Sequence, residues 1–140
     1  MTQPSPEHIA RQYYDLFNRR LFQQAEMLVS PQAVFHYPHT KEHMIGRAGY
    51  RELARTWVTA FPDARVDVQS LTAEGPGRVR VQLLGHGTHT GALTFGGPLT
   101  LEPSGRRTEL PLTDTLEVSD GLIVNSWLSF DVAELLRRLT

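Results

Sequence analysis

The hydrophobic pattern of this chain changes its period near Pro62, and this change limits the possible folds more than any other feature. Before Pro62, apolar residues recur three, four, seven, eight and eleven positions after Tyr50, which predicts a helix between Arg47 and Phe61 with one wide apolar face. After Pro62, apolar and polar residues alternate in "ARVDVQSL" and in "RVRVQLLGHGTHTGA", as they do in half-buried β-strands. The chain is therefore predicted to place helices first and strands after them.

The remaining segments complete this order of elements. Ser5 before Pro6 predicts the start of a first helix that ends near Arg19, and a second short helix is predicted from Phe22 to Val29. "AVFHYP" is predicted to be a short strand, "TELPLTDTLEV" and "LIVNSWLSF" the last two strands, and "DVAELLRRLT" a terminal helix capped by Asp131. Helices followed by consecutive antiparallel strands predict an α+β fold, with the helices packed on one face of a curved sheet.

The composition excludes several classes of protein. A chain of 140 residues is the size of one domain, so residues 1–140 are expected to form a single domain. The 14 Lys and Arg residues are spread along the chain and the net charge is -1, which gives no basic stripe for a nucleic-acid partner. The absence of cysteine excludes disulfides and thiolate nucleophiles. "MTQPSPEHIA" does not resemble a secretory leader and no apolar run predicts a membrane span, so a cytoplasmic protein is expected.

The two histidines of "LLGHGTHTGAL" fall on opposite faces of a predicted strand. His89 shares its face with Val79, Val81 and Leu83, whereas His86 lies on the other face. If the valine face is buried, His89 points inward and His86 toward solvent, unless a bulge at the intervening glycines reverses the order. His89 is therefore either a residue of a pocket or a buried, hydrogen-bonded structural histidine.

Asp114 is a carboxylate on an apolar strand face. Leu110, Leu112 and Leu116 share that face, and burying a carboxylate among them costs free energy unless it is paired, hydrogen-bonded or protonated. Desolvation raises the pKa of such a group, which suits a general acid or base near neutral pH. The structural alternative is an Asp that accepts backbone N–H groups or pairs with an Arg, and we favour the pocket.

Other histidines and aromatic residues give further candidates for a site. The five histidines from His36 to His89 match no standard spacing of metal ligands, so no metal site is predicted. His36 or His39 at the mouth of a pocket is expected to donate a hydrogen bond to substrate. The aromatic side chains of Tyr13, Phe17 and Trp57 either line the same cavity or belong to the core, which is the usual place for aromatics at helical spacing.

With these residues in view, the chain resembles a SnoaL-like polyketide cyclase domain of the nuclear-transport-factor-2-like superfamily. The matching segments are the F and PD of "WVTAFPDARVDV", "GHGTHTG", "DTLEVSDGLIV" and the terminal "LLRRL". The resemblance implies a cone-shaped α+β barrel that encloses an apolar pocket, usually in a homodimer. It also implies acid–base chemistry without metal or organic cofactor, in which an aspartate acts on a substrate whose π-system stabilises an enolate.

The residues implied by the resemblance are only partly present. The family's aspartate on the last strand falls at Leu128, the histidine that assists it falls at Asp114, and the "GTHTG" histidine is matched by His89. Two hypotheses remain. The chain is a cofactor-independent cyclase or isomerase of an apolar carbonyl compound, with Asp114 as base and His89 as donor to the enolate; or it is a non-catalytic domain that binds a small apolar ligand in the same pocket, which Leu128 favours.

Overall fold

The computed structural model describes residues 4–37, 44–94 and 100–140. The helices in these ranges are α1 (Pro6–Asn18), α2 (Phe22–Glu26), α3 (Gly46–Ala60) and α4 (Val132–Leu139). The strands are β1 (Val29–His36), β2 (Met44–Ile45), β3 (Arg65–Ala73), β4 (Arg78–Thr88), β5 (Leu93–Thr94), β6 (Thr100–Leu101), β7 (Arg107–Ser119) and β8 (Leu122–Ser129).

Six of the strands form one curved sheet in the order β2-β1-β8-β7-β4-β3. All neighbours are antiparallel except β1 and β8, which run parallel. The predicted α+β architecture is confirmed, but the sheet stays open between its edge strands β2 and β3 in the described ranges, so the cone is not a closed barrel. Among the described residues, strands β5 and β6 pair only with each other, and they were not predicted.

The helices cover the concave face of the sheet. Helix α1 packs against β3, β4 and β7, and α3 packs against β1. Ser5 caps α1 by accepting a hydrogen bond from the His8 N–H, and Asp131 caps α4 in the same way at the Glu134 N–H, as the sequence predicts. None of the described helices is both long and apolar enough to cross a membrane.

Two predicted boundaries are wrong because tertiary contacts take precedence over the local pattern. Helix α2 ends at Glu26, since Val29 already pairs with Ile123 of β8 and the Leu28 carbonyl accepts a hydrogen bond from the Ile123 N–H. Strand β4 ends at Thr88, because the Thr90 and Gly91 N–H groups turn back to the Ala60 carbonyl at the end of α3.

The glycines of the "GHGTHTG" segment permit close packing and do not create a bulge. Strands β4 and β7 pair without a register shift from Arg78 to Thr88. A Cβ atom on Gly87 would lie 2.8 Å from Phe61 Cβ, and one on Gly91 would lie 1.8 Å from the Thr59 carbonyl oxygen. The strand parity predicted for β4 therefore holds along its whole length, and the end of α3 can lie directly against it.

Candidate functional site

An apolar cavity lies between the helices and the concave face of the sheet. Its volume, including the open mouth, is about 840 Å³. Helices α1 and α3 and strands β4 and β7 supply most of the wall, with Leu128 from β8 and Leu135 from α4. Among the described lining residues, Asp114 is the one carboxylate.

The Asp114 carboxylate is held by two hydroxyl groups. Its side chain points inward from β7 and the residue is only 4% exposed. The Tyr14 hydroxyl donates a hydrogen bond to Oδ2, and the Ser126 hydroxyl donates one to Oδ1 at 2.7 Å. A structural Asp was predicted to bond to a backbone N–H group or to an Arg. Within the described ranges, no group of either kind bonds to this carboxylate.

Burial raises the pKa of Asp114 above its ordinary value. The hydrogen bonds from Tyr14 and Ser126 act in the opposite direction, because they stabilise the ionised form, but burial is the larger effect. The result is a carboxylate whose protonation changes nearer to neutral pH than that of an exposed Asp. A group of this kind can exchange a proton with a bound molecule.

All four tyrosines of the chain line the same cavity. Tyr14 is bonded to Asp114, and the Tyr37 hydroxyl accepts a hydrogen bond from Trp57 Nε1 at 3.2 Å. The Tyr50 hydroxyl is buried with no partner among the described residues. Tyr13 makes no hydrogen bond through its hydroxyl within those ranges either, and its pKa is raised by burial and then by the nearby Tyr50 and Asp114.

Four of the residues proposed from the sequence as substrate contacts do line the cavity. These are Tyr13 and Phe17 from α1, Trp57 from α3 and Leu128 from β8. Leu128 is the direct partner of Asp114 across the β7–β8 pair. The position at which the family resemblance puts an aspartate is therefore adjacent to the position that holds one in this chain.

His89 is buried but does not line the cavity beside Asp114. Its ring packs against Phe61, a wall residue, with 5.4 Å between ring centroids. Nδ1 accepts a hydrogen bond from the Ser104 N–H at 3.2 Å and lies 2.9 Å from the Ser104 hydroxyl. The predicted pairing of His89 with Asp114 is thus not formed, because the chain leaves the β4 ladder after Thr88 and the segment around Ser104 encloses the ring.

The hydrogen bonds of His89 agree with the alternative that it is a buried structural histidine. Because a backbone N–H group donates to Nδ1, the proton of the neutral ring belongs on Nε2. Burial lowers the pKa of His89, and the Leu101 carbonyl opposes that change, although Nε2 makes no hydrogen bond of ordinary geometry within the described ranges. A buried, neutral histidine that is bonded to backbone stabilises the end of the strand.

His36 also lies away from the cavity, in contrast to the prediction. It pairs with Trp127 across β1 and β8, and its neighbour Phe35 is the residue that points into the core. The His36 ring stacks on Trp127 with 5.1 Å between centroids, and Nε2 lies 3.1 Å from Asn125 Oδ1 on the outer face of the sheet. The second loop candidate, His39, falls outside the described residues.

His86 occupies the outer face that its strand parity predicts. Nε2 lies 2.8 Å from Asp67 Oδ2, and Nδ1 lies 3.5 Å from Glu109 Oε1. His86 is at the rim where the cavity meets the surface. Within the part of the chain that the structure describes, no three His, Asp or Glu side chains are grouped as metal ligands.

The sequence reasoning missed Tyr14 and Ser126, the two residues that hold Asp114. Ser126 stands two positions before Leu128 on β8, so strand alternation puts the two side chains on the same face and could have identified Ser126. Tyr14 follows Tyr13 on α1, and helical periodicity alone does not separate two adjacent residues at the edge of an apolar face.

Comparison with solved structures finds proteins of similar fold. IdmH from Streptomyces antibioticus, named as a candidate polyketide cyclase, is 28% identical with a TM-score of 0.78, and the match covers 97% of this chain and 99% of IdmH. AclR from Streptomyces galilaeus, named as a candidate hydroxylase, is 26% identical with a TM-score of 0.76 over 96% of this chain and 83% of AclR. TsrD from Streptomyces laurentii has the same fold, with a TM-score of 0.80 at 22% identity over 99% of this chain and 97% of TsrD.

The family models give the most direct assignment. No curated protein sequence matches the chain. The family model for the SnoaL-like polyketide cyclases matches residues 7–139, from the second residue of α1 to the last residue of α4, and this range contains the described residues that line the cavity. The chain therefore belongs to the SnoaL-like polyketide cyclase family.

Proposed function

We propose that this protein is a cofactor-independent enzyme that moves a proton next to the carbonyl group of a small apolar substrate, in a cyclisation or isomerisation. The observation that carries the proposal is a single carboxylate, Asp114, in a cavity wall that is otherwise almost entirely apolar and aromatic. Its raised pKa places its proton transfer closer to neutral pH. Family membership supports the same class of chemistry.

In the proposed reaction Asp114 is the base and then the acid. The carboxylate takes a proton from the carbon beside the carbonyl, the C–H electron pair forms the enolate, and the negative charge moves to the carbonyl oxygen. In an isomerisation, the protonated Asp114 then gives the proton to a different carbon of the conjugated enolate. In a cyclisation, the enolate carbon bonds to a second carbonyl carbon of the substrate, whose C=O π electrons move to its oxygen, and the protonated Asp114 gives its proton to that oxygen. Tyr14 and Ser126 hold the carboxylate in a fixed orientation throughout, so that little reorganisation is needed during the transfer.

We propose Tyr13 as the donor to the enolate oxygen, in place of His89. Its hydroxyl lines the cavity, is free of partners within the described residues, and is close enough to Asp114 for the carboxylate to raise its pKa. A neutral donor with a raised pKa keeps its proton and stabilises the enolate through a hydrogen bond.

The test is hydrogen–deuterium exchange at the α-carbon of 2-tetralone, an apolar bicyclic ketone, followed by proton NMR in D₂O. We expect the protein to accelerate exchange over the solvent rate and Asp114→Asn to reduce that acceleration by about 10²-fold or more, the usual contribution of a general base. Asp15→Asn is the matched control, because Asp15 is exposed on α1. Equal exchange by Asp114→Asn and the unmodified protein would contradict the mechanism.

The second candidate function is non-catalytic binding of a small apolar ligand. It is favoured by Leu128, which stands where the family resemblance puts the catalytic aspartate. A binding protein would bind 2-tetralone without accelerating its exchange, would keep its affinity in Asp114→Asn, and would lose it in Leu128→Trp, which fills the cavity. Exchange measured on the same samples separates the two functions, because an enzyme and a binding protein would both bind 2-tetralone and only the enzyme would accelerate its exchange.

Two expectations from the family resemblance stay proposals. A homodimer is tested by light scattering on the purified chain, where a mass near twice 15.8 kDa is expected. A cytoplasmic location is tested by cell fractionation.

A further inference from the structure

The inner face of β7 carries a polar residue at each end of the cavity. Thr108, Leu110, Leu112 and Asp114 alternate along the strand and all four line the cavity. Asp114 lies six positions after Thr108 on the strand, a distance of about 20 Å along the backbone. The two leucines between them form an apolar floor, so this wall of the cavity is polar at both ends and apolar in the middle.

The Thr108 hydroxyl is buried and has no hydrogen-bond partner among the described residues. Thr108 is 5% exposed and lies opposite Gly87 across the β4–β7 pair, so no side chain from β4 covers it. A buried hydroxyl without a partner destabilises the fold, because it has lost its hydrogen bonds to water and gained none in return. An apolar residue of similar shape, such as valine, would avoid this cost. The presence of the hydroxyl is explained if a ligand in the cavity forms a hydrogen bond with it.

Thr108 also marks the point where the cavity meets a charged surface groove. The groove is lined by Asp63, Arg65, Asp67, His86, Gly87 and Arg107, and it shares Arg65, His86 and Gly87 with the cavity. Arg107 precedes Thr108 and faces the groove, whereas Thr108 faces the cavity. The environment therefore changes from apolar to charged within one residue of Thr108, and a polar end of a ligand is well placed there.

We propose that Thr108 is a specificity-determining residue that hydrogen-bonds an uncharged oxygen at the far end of the ligand. The ligand is then an elongated apolar molecule with an oxygen-bearing group at both ends, one at Asp114 and one at Thr108. This deepens the proposed function. The statement that the ligand reacts at its Asp114 end rests on the proposed function. The binding of the distal oxygen depends on Thr108 alone.

The experiment measures the binding of matched ketones by isothermal calorimetry. The probes are 4-acetylbiphenyl and 4-acetyl-4′-hydroxybiphenyl, together with the three-ring terphenyl pair. We expect the protein to bind the hydroxylated member about tenfold more tightly in at least one pair, because one satisfied hydrogen bond in a dry site has about that effect. Thr108→Val, which replaces the hydroxyl by a methyl group, should abolish the preference, and Thr108→Ser should keep it.

Several outcomes would overturn the inference. These are equal affinity for both members of each pair, a preference that persists in Thr108→Val, or no binding by any of the four ketones. A marked loss of thermal stability in Thr108→Val relative to Thr108→Ser would show that the hydroxyl has a structural partner, which also contradicts it. Asp114→Asn should keep the hydroxyl preference, so failure of the proposed chemistry and failure of this inference are separately visible.

Discussion

Two of the carboxylates on strand β7, Asp114 on its inner face and Glu117 on its outer face, have surroundings that differ in kind. Asp114 is buried and bonded only to hydroxyl groups, and burial raises its pKa. Glu117 is partly exposed, accepts a hydrogen bond from Asn125 Nδ2 at 2.8 Å and pairs with Arg78 at 3.2 Å, and its pKa is lowered, chiefly by Asn125. The partners rather than the residue type decide which carboxylate is free to exchange a proton.

The outer carboxylate belongs to a closed ring of polar and aromatic side chains. His36 bonds to Asn125, Asn125 to Glu117, Glu117 to Arg78, and the Arg78 guanidinium lies 5.0 Å from the centre of the Trp127 ring, on which His36 stacks. Each group in this ring has a partner of matching charge or polarity. The cavity on the inner side of the sheet, in contrast, leaves the hydroxyls of Tyr13, Tyr50 and Thr108 without partners within the described ranges, as expected of a surface that receives a ligand.

The largest difference between the two faces is expected in stability. Leu116, on the inner face, is fully buried, so Leu116→Ala should lower the free energy of unfolding by about 2–5 kcal/mol. Replacing Thr115, its outer-face neighbour, with alanine should lower the free energy of unfolding by no more than about 0.5 kcal/mol. Urea unfolding of the two variants measures both values, and similar losses would contradict the assignment of the faces.

The next effect concerns the hydroxyl groups around Asp114. Tyr14→Phe removes a hydrogen bond to a buried carboxylate and should destabilise the protein by about 1–3 kcal/mol. Because that hydrogen bond lowers the pKa of Asp114, its loss should also move the pH profile of ketone exchange to higher pH. The adjacent Tyr13→Phe is the control: its hydroxyl is unbonded in the described structure, so the variant should keep its stability and lose exchange rate instead.

These expectations show what the sequence could predict. Alternation on β7 was enough to place Asp114 among buried leucines, and the helical spacing around Tyr50 was enough to place α3. The parallel pairing of β1 with β8 was not predictable, since no local pattern records which distant strands meet. His89 was assigned to the cavity for a related reason: its inward direction was correct, but the return of the chain at Ser104, which encloses the ring, is a non-local contact.

The third effect is on the pH dependence of stability, where the two carboxylates should behave in opposite ways. The folded-state pKa of Asp114 is raised, so its ionisation destabilises the fold as the pH rises above about 3.9, the unfolded value. Asp114→Asn removes that cost and should gain stability relative to the unmodified protein between about pH 4 and neutrality. The folded-state pKa of Glu117 is lowered, so its contribution is present above about pH 4.3 and is lost as the pH falls.

Glu117→Gln should accordingly be less stable than the unmodified protein at neutral pH, and the difference should shrink on acidification. Thermal unfolding from pH 3.5 to pH 7.5 measures both variants against the same reference. Differences of the same sign for the two variants would mean that Asp114 is ionised and well paired, and would remove the physical basis for its acid–base role.

The smallest effect is expected for the exposed part of the outer ring. Arg78 pairs with Glu117 and lies over Trp127, but its side chain is nearly half exposed, so Arg78→Ala should cost less than about 1 kcal/mol. The ion-pair part of this loss should decrease in 1 M salt, because salt screens exposed charges, while the stacking part should remain. Arg11→Ala on α1 is the matched control. A loss of several kcal/mol at Arg78, with reduced exchange of ketone protons, would show that the outer ring supports the cavity and that the two faces of β7 are not independent.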